Sequence, residues 1–176
     1  MTRGYMLTHA QAKSLADSLG LTPAESLFLR AVAWHETRYS AGWGPPDRGG
    51  GSWNMGAVTT SNPDQYSFKH EDSRWDPKQG RVVQYTTWFA GYPSALAGLS
   101  GLRDVLMKAN VVEALGKNDF LGAVSAMYDN RYFLGLHPHD GSIGDRDNIE
   151  AYYTAVVNAV QSIGAQTGET QPDVLT

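Results

Sequence analysis

Cysteine is absent from the 176 residues, which excludes disulfide bonds, thiolate catalysis and cysteine-ligated zinc. No apolar run is long enough to span a bilayer, and the opening residues Met1 to His9 lack the hydrophobic stretch of a secretory signal. If the protein works outside the cytoplasm, another system is expected to deliver it. There is also no block of like charge. The 14 basic and 18 acidic side chains are interspersed and leave a net charge of −4, which argues against nucleic acid or an anionic membrane surface as the main partner. Gly-x-Ser-x-Gly elbows, Walker loops and dinucleotide fingerprints are missing as well.

What is present is an ordinary globular balance, 41% hydrophobic and 18% charged, in a length that suits one domain with a substantial core. Five tryptophans and nine tyrosines suit either a core or a sugar-binding groove. The punctuation is clear at the N-terminal end. Thr8 with Gln11, followed by Leu15, Ala16, Leu19 and the stop at Gly20, predicts a first helix. Thr22, Pro23 and Glu25 form a second capping box. It heads a stripe of Leu27, Phe28, Ala31, Val32 and His35 that runs until Gly42-Trp43-Gly44-Pro45-Pro46 forbids continuation.

Between Trp53 and Tyr92 the period shortens. Trp53–Thr60, Tyr66–His70 and Arg81–Phe89 are rich in aromatic and β-branched residues, which predicts two or three short antiparallel strands. Helices are expected again over Pro93–Lys108, over Asn118–Tyr128 behind an Asn118 cap, and over Asp147–Ile163 behind an Asp147–Glu150 box. The polar segment 165–176 is expected to be a mobile tail or linker after a single catalytic domain over 1–164. The fold class is therefore α+β and predominantly helical, with a small antiparallel β-lobe forming one wall of a groove.

Glu36 is the residue to which this pattern draws attention. It lies four residues beyond Val32, at the margin of the apolar stripe and near the end of the helix, with Trp34, His35 and Tyr39 around it. The helix C-terminus disfavours a negative charge by up to ~1 kcal/mol, and apolar surroundings act in the same direction. A carboxyl so placed tends to keep its proton near neutral pH, as a general acid must. A metal reading is weaker. His35-Glu36 begins a His-Glu-x-x-His pattern, but Tyr39 stands where the second histidine is needed. His137 and His139 sit in a proline-interrupted loop, and the stretch Asp140 to Asp147 lacks the order of a calcium loop. Neither a metal nor a cofactor is expected. For a second carboxylate, Asp64, Glu71, Asp72 and Asp76 lie in the β-region, and Glu71, closing the Tyr66–His70 strand, is the preferred choice.

The run Ala33-Trp34-His35-Glu36-Thr37-Arg38-Tyr39, a glycine-rich loop and then Asn54-Met55-Gly56-Ala57-Val58 resembles the lysozyme-like peptidoglycan glycosidases. The nearest likeness is to the family-73 N-acetylglucosaminidases, with the lytic transglycosylases as close relatives. Trp88 to Leu96 is similar to the glucosaminidase pattern of an aromatic, a tyrosine and a serine before a helix, and Arg131-Tyr132-Phe133-Leu134 falls where that family has a groove tyrosine. The resemblance spans about Leu21 to Ile163. It implies that Glu36 is the general acid, that Tyr132 supports the reacting sugar, and that Asn54 and Gly56 line the cleft. Glu71 completes the expected catalytic set, and Tyr39, Trp53 and Tyr92 the substrate-binding one. Thr37 departs from the serine usual after the glutamate, the Asn54-Met55-Gly56 spacing is nearer the transglycosylase form, and Thr59 stands where transglycosylases often have Gln. The implied substrate is the β-1,4 glycan strand of peptidoglycan, acted on by a monomer that a phage particle, a secretion apparatus or a larger parent chain delivers. Three rival readings remain: a lytic transglycosylase that leaves anhydro-muropeptides, a catalytically silent glycan-binding or structural module of a virion or secretion machine, and a metallohydrolase using His35, His137 and His139.

Overall fold

The structure, a computed structural model, describes residues 6–39, 52–76, 78–133 and 145–169. Among the described residues, six helices and one hairpin follow in the order α1 (His9–Asp17), α2 (Pro23–Thr37), β1 (Phe68–Asp76), β2 (Arg81–Phe89), α3 (Ala95–Leu106), α4 (Ala109–Gly116), α5 (Phe120–Asp129) and α6 (Asp145–Thr167). The expected helical body with a small antiparallel β-lobe is what forms.

Helix α2 is the axis of the body. Every residue from Ser26 to Ala33 is buried, so the stripe expected from the sequence is in fact a belt around the whole helix. A helix apolar on all sides must be wrapped, and α1, α3, α4 and α6 all pack against it. Its start is fixed locally: the Thr22 hydroxyl accepts from the Glu25 N–H, and the Glu25 carboxylate accepts from the Thr22 N–H at 2.8 Å. Its end is fixed by Arg38, which takes the left-handed conformation (φ 56°) while its N–H still bonds the Trp34 carbonyl. Thr8 and Gln11 close the same reciprocal box at the start of α1.

In the β-lobe, β1 pairs with β2 in a register that sets Phe68 opposite Phe89 and Glu71 opposite Thr86. Phe68 and Phe89 are buried and stack with centroids 5.7 Å apart. The strand expected over Tyr66–His70 starts two residues later and runs on to Asp76. The segment Trp53–Thr60 does not form a full strand: Thr59 makes an isolated bridge to Phe89, and the rest is a turn.

The later helices differ from expectation in their caps and ends. Asn118 sits in the left-handed region (φ 56°), and the cap of α5 is Asp119, whose carboxylate accepts from the Gly122 N–H. Helix α4 was not expected, because its eight residues follow Lys108, which provides no side-chain cap. Helix α6 begins before Asp147, which therefore lies within it and does not cap it. The helix then passes Gly164 and ends at Thr167. The expected tail is thus partly ordered. Residues 165–167 are helical, and Glu169 makes a two-pronged ion pair with Arg30 of α2 at 2.9 and 2.6 Å. Arg30 is only 1% exposed. A guanidinium buried so completely requires a charged partner, and the nominal tail supplies it. The glycine-rich loop, His137, His139 and Leu134 lie outside the described residues.

Candidate active site

Glu36 occupies the last turn of α2, half-buried, where α6 and the segment following α5 come together. Its Oε1 accepts a hydrogen bond from the Tyr152 hydroxyl of α6 at 2.6 Å. Burial pushes the Glu36 carboxyl up from the ordinary glutamate value, while the Tyr152 hydrogen bond and the neighbouring His35 pull it back part of the way. The upward effect is the larger, so the carboxyl holds its proton to higher pH than an exposed glutamate.

Two tyrosines flank this acid. Burial raises the Tyr132 and Tyr152 phenols well above their ordinary value, and the proximity of Glu36 adds to this in both. Both therefore remain hydroxyl donors throughout the working range. The Tyr152 ring stacks on Phe133 (centroids 4.1 Å, interplanar angle 10°) and meets His35 edge-on at 5.1 Å. Tyr132 turns its hydroxyl to the other side of the cluster and donates to the Gly56 carbonyl at 2.7 Å.

The Asn54–Val58 turn reaches Glu36 through that bond and through Thr37. The Thr37 hydroxyl is shared between its own helix, at the Ala33 carbonyl (3.2 Å), and the Met55 carbonyl (3.1 Å). Asn54 is fully buried, and its side-chain amide both donates to the Val58 carbonyl and accepts from the Val58 N–H, each at 2.8 Å. Trp53 (φ 45°) and Ala57 (φ 50°) take left-handed backbone conformations on either side, a conformation that costs non-glycine residues energy and that the clamp offsets. Gly56 has an ordinary backbone but no spare room: a Cβ there would collide with the Leu102 side chain and sit 2.8 Å from the Tyr132 hydroxyl. Asn54 and Gly56, expected to line the cleft, are thus both buried and hold the turn that is bonded to Tyr132 and Thr37.

Of the other expected residues, Trp53 and Tyr92 are half-buried. The Trp53 carbonyl packs on Gly98, the Tyr92 ring packs on Gly101, and the Tyr92 N–H bonds the Ser52 carbonyl. Tyr39 is a correction. It is 0% exposed, its ring packs against His9 and Trp34, and its hydroxyl shares a 3.2 Å hydrogen bond with His9 Nδ1. With left-handed conformations at both Arg38 and Tyr39, the Tyr39 side chain enters the core against α1. Glu71 is also placed differently from expectation. It lies within β1 and does not close it. Side chains alternate across a strand, so Glu71 stands with exposed Lys69 and Thr86 on the face opposite the Phe68–Phe89 seam.

Tyr152 was missed by the sequence reading. Its signal was present: Ile149, Tyr152 and Val156 share one helical stripe, and a tyrosine on a core-facing stripe needs a partner for its hydroxyl.

No family model matches this sequence. No curated protein matches it either. The solved structures are informative. A peptidoglycan hydrolase mutant from Sphingomonas sp. A1 superposes with a TM-score of 0.60 at 19% identity, over 90% of this chain and 95% of that one. The catalytic domain of the autolysin Auto from Listeria monocytogenes superposes at 0.56 with 15% identity, over 92% and 82%. A C-terminally truncated glycoside hydrolase domain of FlgJ from Salmonella typhimurium gives 0.50 and 16%, over 88% and 91%. The chain shares their fold. The fold implied by the sequence resemblance is therefore the observed one.

Proposed function

We propose that the protein is a glycosidase that cleaves the β-1,4 glycan strands of bacterial peptidoglycan in the manner of an endo-N-acetylglucosaminidase, with Glu36 as general acid. The observation that carries this reading is the half-buried Glu36 carboxyl at the end of the central helix, raised in pKa and bonded to Tyr152. The shared fold adds support, since two of the matched proteins are described as a peptidoglycan hydrolase and a glycoside hydrolase domain.

Glu36 gives its proton to the glycosidic oxygen as the bond to the anomeric carbon breaks, and that bond's electron pair stays with the leaving oxygen. The oxocarbenium-like sugar is then captured from its other face. The exposed position of Glu71 favours capture by the substrate's own acetamido group, with water completing hydrolysis. Tyr132, beside Glu36, supports the sugar electrostatically. The partner is the glycan strand itself.

The same placement of Glu71 gives a second reading its footing. One acid suffices for an intramolecular transfer by a sugar hydroxyl, which leaves an anhydro end as a lytic transglycosylase does. Replacing Glu36 with Gln tests both readings. The variant should fold normally by circular dichroism and lose at least ~100-fold in wall-clearing activity. Undiminished clearing overturns both, and glycan binding without clearing by the wild-type chain points to the silent module.

A further inference from the structure

We infer that Tyr152 is a positioning residue that decides which oxygen of Glu36 carries the proton to be donated. The inference rests on the reading of Glu36 as general acid.

A carboxyl group has two oxygens and, when neutral, one proton. Tyr152 donates to Oε1 at 2.6 Å, and an oxygen already accepting a strong hydrogen bond is the carbonyl-like one. The proton is therefore held on Oε2, the oxygen that Tyr152 leaves free. The phenol cannot turn away easily, because its ring is fixed on one side by the parallel Phe133 ring and on another by the edge of His35. Nor does it change role with pH, since burial keeps it protonated. Among the described residues, the groups facing Glu36 are thus His35 on its own helix, Tyr152 from α6 and Tyr132 from beyond α5.

The same bond also acts during the reaction. As Oε2 releases its proton to the leaving oxygen, Glu36 becomes a carboxylate, and the Tyr152 hydrogen bond becomes charge-assisted and stronger. An interaction that strengthens toward the transition state raises turnover more than it tightens binding.

The test is Tyr152→Phe, which keeps both ring contacts and removes only the hydroxyl. Two readouts are needed: steady-state kinetics on purified walls, and titration of the Glu36 carboxyl by carbon NMR of labelled protein. The expected result is a fall in kcat of about tenfold or more with KM little changed. Because the lost bond had been lowering the Glu36 pKa, the carboxyl titration and the alkaline limb of the pH–rate profile should both move to higher pH. A merely structural role would leave that limb in place. If the variant fails to fold, 3-fluorotyrosine placed at position 152 is a stronger donor and should move the Glu36 titration to lower pH. An unmoved Glu36 titration overturns the inference. A wild-type chain that releases no glycan, while its Glu36 titration still responds, overturns the proposed function instead.

Discussion

Tyr132 donates its hydroxyl to the carbonyl of Gly56 across a separation of 76 positions in the chain, at 2.7 Å. This bond joins the segment after α5 to the turn that Thr37, the neighbour of Glu36, also holds. It exists only because position 56 has no side chain, since a Cβ there would meet both the Tyr132 hydroxyl and Leu102. The acid, the turn and the tyrosine thus form one packed unit.

Gly56→Ala should disturb that unit directly. Overpacking of a closed site costs about 1–3 kcal/mol, and relief would come from moving Tyr132. Urea unfolding should show the stability loss, and wall-clearing activity should fall further than unfolding accounts for. Tyr132→Phe, which removes only the bond, should cost about 1 kcal/mol by the same measurement.

Glu36 should weaken the fold it serves. Its folded pKa is raised chiefly by burial. The stability contribution of a raised group is fully present below the unfolded pKa and is lost as pH rises through the folded value. Glu36→Gln keeps an oxygen for Tyr152 and never ionises, so the variant should be the more stable protein at neutral pH. Denaturant melts should show the advantage growing from about pH 4 upward and absent in more acidic buffer.

The Arg30–Glu169 pair has the opposite sign. Arg30 holds the Glu169 carboxyl below its ordinary range, so its contribution is present above about pH 4.3 and is lost as pH falls through the lowered value. Glu169→Ala leaves a buried guanidinium unpaired and should cost roughly 3 kcal/mol near neutrality. The difference from wild type should narrow in acid. The pair binds the end of α6, which carries Tyr152, to α2, which carries Glu36, so a loss of activity should accompany the loss of stability.

On the acetamido route Glu71→Gln should reduce turnover less than tenfold, because the substrate's own group then does the work of a second carboxylate. A loss comparable to that of Glu36→Gln, of ~100-fold or more, would restore the two-carboxylate mechanism.

Features encoded over three or four residues were legible in the sequence. The Thr8 and Thr22 capping boxes and the Pro23 start are local hydrogen-bond patterns, and they form as read. The position of Glu36 at the end of α2 followed from the same local pattern. What was not legible depends on partners distant in sequence. Tyr152 meets Glu36 across 116 positions and Glu169 meets Arg30 across 139, and nothing within one helix announces either. Tyr39 was misjudged for a related reason: two successive left-handed residues, neither of them glycine, reverse the chain where composition suggested a groove aromatic. Asn54 was singled out from the sequence, and the structure adds that its side chain clamps Val58.

Mass spectrometry of the muropeptides released from purified peptidoglycan by the wild-type chain and by Glu36→Gln tests the central claim most directly. The expected result is new reducing N-acetylglucosamine ends from the wild type and at least ~100-fold less product from the variant. Equal release by the two proteins would contradict the account.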